Sequence, residues 1–332
     1  VPLITLLMKE TIMLRFSALC LLAMLGLASV LQAQTFPSKP IRVIVPYAAG
    51  GTSDILARQI GPKLTEAWGQ PIVVENKPGA NGNVGAELVA RSAPDGYTVL
   101  LADIGALCIS PSVYPKLAFD PVKDFSPVVM VSYSPHVLAV HPSVPVNTVS
   151  ELIAYAKAKP GQLNFAISGT GGAPHLAGIE FAQRTGVQWT YIPYKGGSQA
   201  VADVVAGQAN VLFNGMLATY PSVQGGKLRA LAVSAAKRVS SAPDIPTVAE
   251  SLPGFETGSF QGVIAPLGTP RDIVQKMNHE FVKVLATAEM RERLAKQGTE
   301  VRTDTPEAFA KFIRDEVAKW AKVVKEANVK FD

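Results

Sequence analysis

Cysteine is nearly absent from this chain, with Cys20 and Cys108 the only two in 332 residues. A disulfide framework and a Cys-rich zinc site are therefore excluded. Histidine is scarce as well, at four residues, and no pair has the H-x-x-x-H spacing of a helical metal site. No metal or cofactor is expected. Charged residues make up only 17 % of the chain and aromatics 7 %. The net charge of +5 is spread along the sequence, without a basic stripe interleaved with aromatics, so no nucleic-acid partner is expected. Long apolar runs are missing too, except for Phe16 to Leu31.

That run follows Lys9 and Arg15 and leads into Leu31-Gln32-Ala33. It reads as a secretory signal peptide over residues 1–33, cut after Ala33, although Leu31 is bulky for its place. The alternative, an uncleaved anchor, would need a longer apolar core of about 20 residues. Met8 or Met13 would serve as the translation start in either case. Cleavage would remove Cys20 and leave Cys108 alone. The exported chain is expected in the periplasm.

What is abundant is apolar residue, 48 % of the chain, enough for a large core divided between two domains. Short β-rich runs alternate with helical periodicity from Ile41 onward. Strands are expected at 41–45, 72–75 and 97–101, with helices at 53–68 and 85–91 between them. This βαβαβ order implies a parallel sheet covered by helices. A second alternation starts near His141, where Thr148 and Glu151 have the spacing of a capping box. It runs through strands near 163–167, 189–193, 210–213 and 228–234. An apolar strand at 262–265 and three helices then close the chain and return to the first domain. The expected division is a discontinuous first domain, 35–137 plus 252–332, with 138–251 inserted and a ligand cleft between.

Two glycine-rich turns carry the chemistry. Each follows a β-rich run and opens an amphipathic helix. The first is Tyr47-Ala48-Ala49-Gly50-Gly51-Thr52-Ser53-Asp54, and the second Ser168-Gly169-Thr170-Gly171-Gly172-Ala173-Pro174-His175. The first N–H groups of a helix have no acceptor within it, and the helix dipole adds partial positive charge there. Such a turn suits an anion, and two of them suggest a ligand gripped from opposite sides. An ordinary capped loop would account for the same residues. The second turn is no dinucleotide or phosphate-loop fingerprint, because Pro174 stands at the last glycine and no Gly-Lys-Ser/Thr follows. A serine hydrolase using Ser168 and His175 is the alternative from another class, but neither Ser53 nor Ser168 lies in G-x-S-x-G. Lys195, Met216, Tyr220 and the loop Asn76–Asn83 are weaker candidates for the cleft wall.

VPYAAGGTSDILAR, VVENKPGANGNVGAELVARSAPDGYTVLLA and LNFAISGTGGAPHLAG, with YIPYKGGSQAVADVVAGQANVLF, PDIPTVAESLPGF and APLGTP in the same order, resemble the solute-binding proteins of tripartite tricarboxylate transporters, the Bug family. The resemblance implies an α/β, two-lobed periplasmic-binding-protein (Venus-flytrap) fold, each lobe a mainly parallel sheet flanked by helices. It implies a receptor and not an enzyme. Its partners would be a small organic acid and the permease subunits of the transporter, and a monomer is expected. The ligand-binding set it implies is Tyr47, Gly50, Gly51, Thr52, Ser53, Asp54, Ser168, Gly169, Thr170, Gly171, Gly172 and His175, which pin a carboxylate. Asn214 and Phe260 are expected at the ligand's far end. Ala48-Ala49 departs from the family's usual Pro-containing pair, and Gly172 stands where a hydroxyl residue is common. Which acid is bound is left open.

Overall fold

In chain order, the computed structural model has β1 (Ile41–Val45), α1 (Thr52–Trp68), β2 (Ile72–Asn76), α2 (Asn83–Ala90) and β3 (Thr98–Asp103). A π-helical turn, Gly105–Ile109, runs into α3 (Ser110–Val113). There follow β4 (Phe125–Val140), α4 (Val149–Ala158), β5 (Asn164–Ile167), α5 (Ala173–Thr185), β6 (Thr190–Pro193) and α6 (Gly197–Val205). Then come β7 (Val211–Gly215), α7 (Met216–Gln224), β8 (Arg229–Val233) and β9 (Gly258–Pro266). The chain closes with α8 (Arg271–Ala286), α9 (Ala288–Ala295), β10 (Glu300–Val301) and α10 (Pro306–Glu326). The structure describes residues 36–326, so the signal peptide expected at 1–33 lies outside the described residues. From Lys39 on, the described chain is one compact unit. None of its helices is long and apolar enough to cross a membrane.

The sheet order is β2-β1-β3-β9-β4-β7-β5-β6, with β8 and β10 also paired to β4. Parallel pairing holds where the alternating pattern predicts it: β1 with β2 and β3, and β5 with β6 and β7. The centre is different. β4 and β9 run antiparallel to each other, and so do β3 with β9 and β4 with β7. The sheets are thus mixed rather than mainly parallel near the middle. The 16 residues of β4 are shared between two halves: Phe125–Pro135 pair with β9, and His136–Val140 with β7. Along its second part Val137 and Ala139 enter one apolar cluster and Leu138 and Val140 another, so helices cover both faces of that strand.

Each half has its own core. Ile44, Leu100, Ile264, Phe309 and Ile313 anchor the first. Phe165, Phe181, Phe213 and Phe255 anchor the second, where the Phe213 and Phe255 rings stack with centroids 5.7 Å apart. α5 crosses between them, because Ala173 and Leu176 at its start pack into the first core. Thr148 caps α4 by accepting the Glu151 N–H at 3.1 Å, while the Glu151 carboxylate takes the Asn147 N–H at 2.6 Å. The reciprocal half of the expected box is displaced by one residue.

Strand parity on β9 decides one prediction. Phe260 packs edge-on against Phe309 and Phe312, with centroids 5.8 and 5.1 Å away. Phe260→Ala should therefore cost about 3–5 kcal/mol of stability, as truncation of a buried aromatic does. Chemical denaturation would check it. At Gly262 an added Cβ would collide with the Phe309 ring, so Gly262→Val should also destabilise, by about 1–3 kcal/mol or more.

Two of the histidines, His136 and His175, are buried, and burial lowers the pKa of each from 6.5 to about 4. The unfolded chain would protonate them near 6.5 while the folded chain keeps them neutral. Stability should be full above about pH 6.5 and fall as the pH drops toward 4. By pH 5 the loss is about 2 kcal/mol for each histidine, 1.5 pH units below the unfolded value. Denaturant midpoints at pH 7 and pH 5 measure it, and His175→Gln should shrink the difference.

Candidate functional site

The site forms where parallel strands end and helices begin. β1, β3, β5 and β7 all deliver their C-terminal residues to one cleft between the two halves, the usual place for a ligand in an open α/β sheet. Its walls include Tyr47, Thr52 and Ser53 after β1, Asp103 from β3, Ser168 and Gly172 after β5, and Asn214 from β7. The starts of α1, α5, α6 and α7 all border it through Thr52, Ala173, Gly197 and Gly215. Helix geometry leaves the first N–H groups of each without an acceptor in its own helix. Among the described residues no Lys or Arg lines this inner cavity, whose volume is about 50 Å³. An outer cavity of about 140 Å³ adjoins it through Tyr47, Asn81 and Ser168 and adds Lys195.

Expected residues fall into three groups. Tyr47, Gly51, Thr52, Ser53, Ser168, Gly172 and Asn214 line the inner cavity, and Gly169 and Thr170 line the outer one. Gly50, Asp54, Gly171 and His175 instead build the loops. The left-handed φ of +78° falls at Gly50, and Gly51 has an ordinary −78°. Gly50 donates its N–H to Asp54 at 2.9 Å, and Arg58 and Asn76 each donate to the same carboxylate at 3.0 Å. Burial alone would raise the Asp54 pKa, but these donors outweigh it and leave the carboxyl below its ordinary value. Its oxygens are taken up in holding the first turn.

The second loop is fixed in a similar way. Gly171, at φ +77°, donates its N–H to His175 Nδ1 at 3.0 Å, and the imidazole packs edge-on against Tyr191 at 4.7 Å. With Nδ1 engaged and the ring turned to Tyr191, His175 shapes the loop rather than serving Ser168 as a base. Phe260 is corrected as well. It lies on the opposite face of β9 from the cleft and lines a separate groove beside α10, while its neighbours Ser259 and Gln261 line the cleft. Met216 is likewise buried in the second half's core.

Several cleft residues were not anticipated. Asp103 accepts from the Tyr47 hydroxyl in a short hydrogen bond, and from the Gly105 and Ala106 N–H groups at 2.8 and 3.4 Å. Burial raises the Asp103 pKa against these donors, and burial followed by the Asp103 charge pushes the Tyr47 phenol well up. Ser53 Oγ donates to Gln261 Oε1 at 2.6 Å, which fixes that amide across the cleft floor. Asn81, held at φ +54°, sits against the second loop so closely that a Cβ on Gly169 or Gly172 would lie 2.8 or 2.7 Å from its Oδ1. The halves also meet where Ser198 Oγ donates to Ala49 O at 2.7 Å and Tyr114 Oη to Thr170 O at 2.9 Å. His136, Ser134 and Ser259 complete the inner wall.

Known proteins share this arrangement. Residues 56–329 match the tripartite tricarboxylate transporter family receptor, TctC. Protein BugT of Bordetella pertussis is 37 % identical over 311 residues, covering 93 % of this chain and 95 % of that protein. Among solved structures, the periplasmic binding protein BugD is 35 % identical, with a TM-score of 0.86 and coverage of 89 % of this chain and 99 % of that one. R. palustris Rpa4515, solved with adipate, is also 35 % identical, with a TM-score of 0.87 over 89 % of this chain and 99 % of that one. The matching family is one of transporter receptors and BugD is a periplasmic binding protein, so the chain is not an enzyme and the hydrolase alternative is set aside. A cleft walled by helix starts, in a chain of this sequence and fold, places the protein in the TctC family of tripartite tricarboxylate transporter receptors, as a solute-binding receptor.

Proposed function

We propose that this receptor captures a small organic carboxylate in the periplasm and presents it to the permease of a tripartite tricarboxylate transporter. The observation that carries the reading is the meeting of four helix starts on a cavity without Lys or Arg. Backbone N–H groups at such starts stabilise an anion through charge-assisted hydrogen bonds. The Thr52 and Ser168 hydroxyls would add to them, with Gly172 leaving room for close approach. Adipate in the similar Rpa4515 supports a carboxylate as the ligand class.

In this reading residues 35–137 with 252–332 form one lobe and 138–251 the other, and a signal peptide at 1–33 directs export. The lobes would part about β4 and the segment before β9. Parting them breaks Ser198–Ala49 and Tyr114–Thr170 and draws Asn81 away from Gly169 and Gly172. Closure brings the helix starts together and excludes water, which strengthens each polar contact to the anion. The receptor would act as a monomer.

Calorimetry and thermal-shift measurements against C3 to C8 mono- and dicarboxylates test the proposal. At least one acid should raise the melting temperature with saturable binding, and a series in which none does would overturn it. Ser168→Ala should weaken the best acid by about 1–3 kcal/mol, the loss of a hydrogen bond to a charged group. Gly50→Val should abolish binding, because a β-branched residue resists the left-handed backbone there.

A further inference from the structure

The inner wall of the cleft holds one buried polar atom that the fold leaves without a partner. His136 is 1 % exposed and lies where β4 passes from β9 to β7. Its backbone N–H donates to Ser234 Oγ at 2.8 Å, and its carbonyl accepts from the Ser234 N–H at 2.8 Å. The ring is held by one edge, with Nδ1 3.1 Å from Thr257 Oγ1. Thr257 is itself fixed, its N–H donating to Ser234 O at 2.9 Å and its carbonyl accepting from Ser234 Oγ at 2.5 Å. The other nitrogen, Nε2, has no partner, although the residue lines the cleft beside Ser134, Ser259, Gln261 and Asn214. A buried polar atom left unsatisfied is costly, so a fold that fixes the ring so firmly and leaves Nε2 bare calls for an explanation.

Charge around the ring is low. β7 and β9 carry no titratable side chain, and β8 carries only Arg229, whose guanidinium donates to Val144 O and Val146 O. Glu256, next to Thr257, lines the separate groove beside α10. Tyr47 and Asp103 are the other titratable residues on the cleft wall, and they bond to each other. The imidazole is therefore neutral at physiological pH, its pKa lowered to about 4 by burial. The Thr257 hydroxyl can donate to Nδ1 or accept from it; where it donates, the ring proton sits on Nε2, the unpartnered nitrogen of a residue on the cleft wall.

We propose that His136 Nε2–H reads the far end of the ligand, selecting acids that carry a second carboxylate over alkyl monoacids of equal length. The inference rests on the carboxylate-receptor reading above. An alkyl tail in this position would bury Nε2–H and the nearby hydroxyls without acceptors. A carboxylate oxygen would satisfy them, and sites built to hydrogen-bond a substrate discriminate strongly against analogues lacking the group.

The test compares adipate with hexanoate, and succinate with butyrate, by calorimetry at pH 7.5 on the wild-type receptor and on His136→Leu, His136→Gln and Thr257→Val. His136→Leu should weaken the preferred diacid at least tenfold while moving the matched monoacid by less than threefold. His136→Gln, which keeps an N–H donor, should recover much of the difference. Thr257→Val removes only the group that orients the ring and should reduce the diacid preference several-fold. Spectra of the receptor labelled with ¹⁵N-histidine should show the His136 Nε2 signal shifting with the diacid and not with the monoacid. That readout holds even where the leucine variant fails to fold. A diacid-to-monoacid ratio unchanged in folded His136→Leu, or an Nε2 signal indifferent to the diacid, would overturn the inference and leave the receptor reading intact. A wild-type receptor that binds no acid at all would overturn both.

Discussion

The cleft depends on one constraint: a helix cannot satisfy its own first N–H groups. A chain that repeats strand, turn and helix in parallel order aims those groups at the same edge of the sheet. Here four such helices, beginning at Thr52, Ala173, Gly197 and Met216, come from both halves and converge on one cavity. Water would satisfy the N–H groups in an open cleft, and under the proposed function an anion would do so when the cleft closes. The glycines follow from this need. Gly50 and Gly171 take the left-handed turns that let the chain reverse into a helix, while Gly169 and Gly172 leave space that the Asn81 side chain enters from the opposite half.

Joining the two halves needs a different arrangement from the one that builds each of them. Parallel βαβ units account for β1–β3 and for β5–β7, yet neither set reaches the other through its own connections. The antiparallel pair β4 and β9 supplies the bridge. β4 donates its first part to one sheet and its last part to the other, with register shifts near Pro127 and Met130. The cleft residues His136, Ser134, Ser259 and Gln261 all belong to this pair. The strands that connect the halves thus also supply the polar floor on which a ligand would rest.

Most of the regular elements could be read from periodicity and from the Gly, Pro and Thr punctuation around them. Strand 41–45 and the helix ending at Trp68 lie where the pattern puts them, since their apolar spacing has one interpretation. β4 was not legible, because FSPVVMVSYSPHVLAV contains two prolines and, buried on both faces along most of its length, shows no polar–apolar alternation. The glycine turns were legible as turns, but side-chain direction within them was not. Asp54 looked like a ligand contact, and its i,i+4 partner Arg58 was the signal that it belongs to the loop. In GSFQG, the alternation of Ser259 and Gln261 with Phe260 already separates the polar face from the apolar one, and it assigns the cleft to the polar pair. His136 and Asp103 carried no local motif. His136 follows several serines and a tyrosine in β4, Asp103 ends the apolar run of β3, and only the fold brings the two into one cavity.

The absence of Lys and Arg from the inner lining has a physical consequence for a protein that must release what it binds. A carboxylate buried against a guanidinium is held by a pair whose separation leaves a desolvated charge, and breaking such a pair typically costs about 3–5 kcal/mol. Backbone N–H groups and hydroxyls carry no net charge. In the proposed receptor, water would replace the ligand at each donor with little penalty as the halves part. The strength of these contacts would instead depend on how well closure orients them and excludes water, tying affinity to the distance between the two halves. The single lysine nearby, Lys195, lines the outer cavity and not the inner one, where it can draw an anion toward the mouth without holding it inside. A cleft built this way would grip when closed and loosen as it opens.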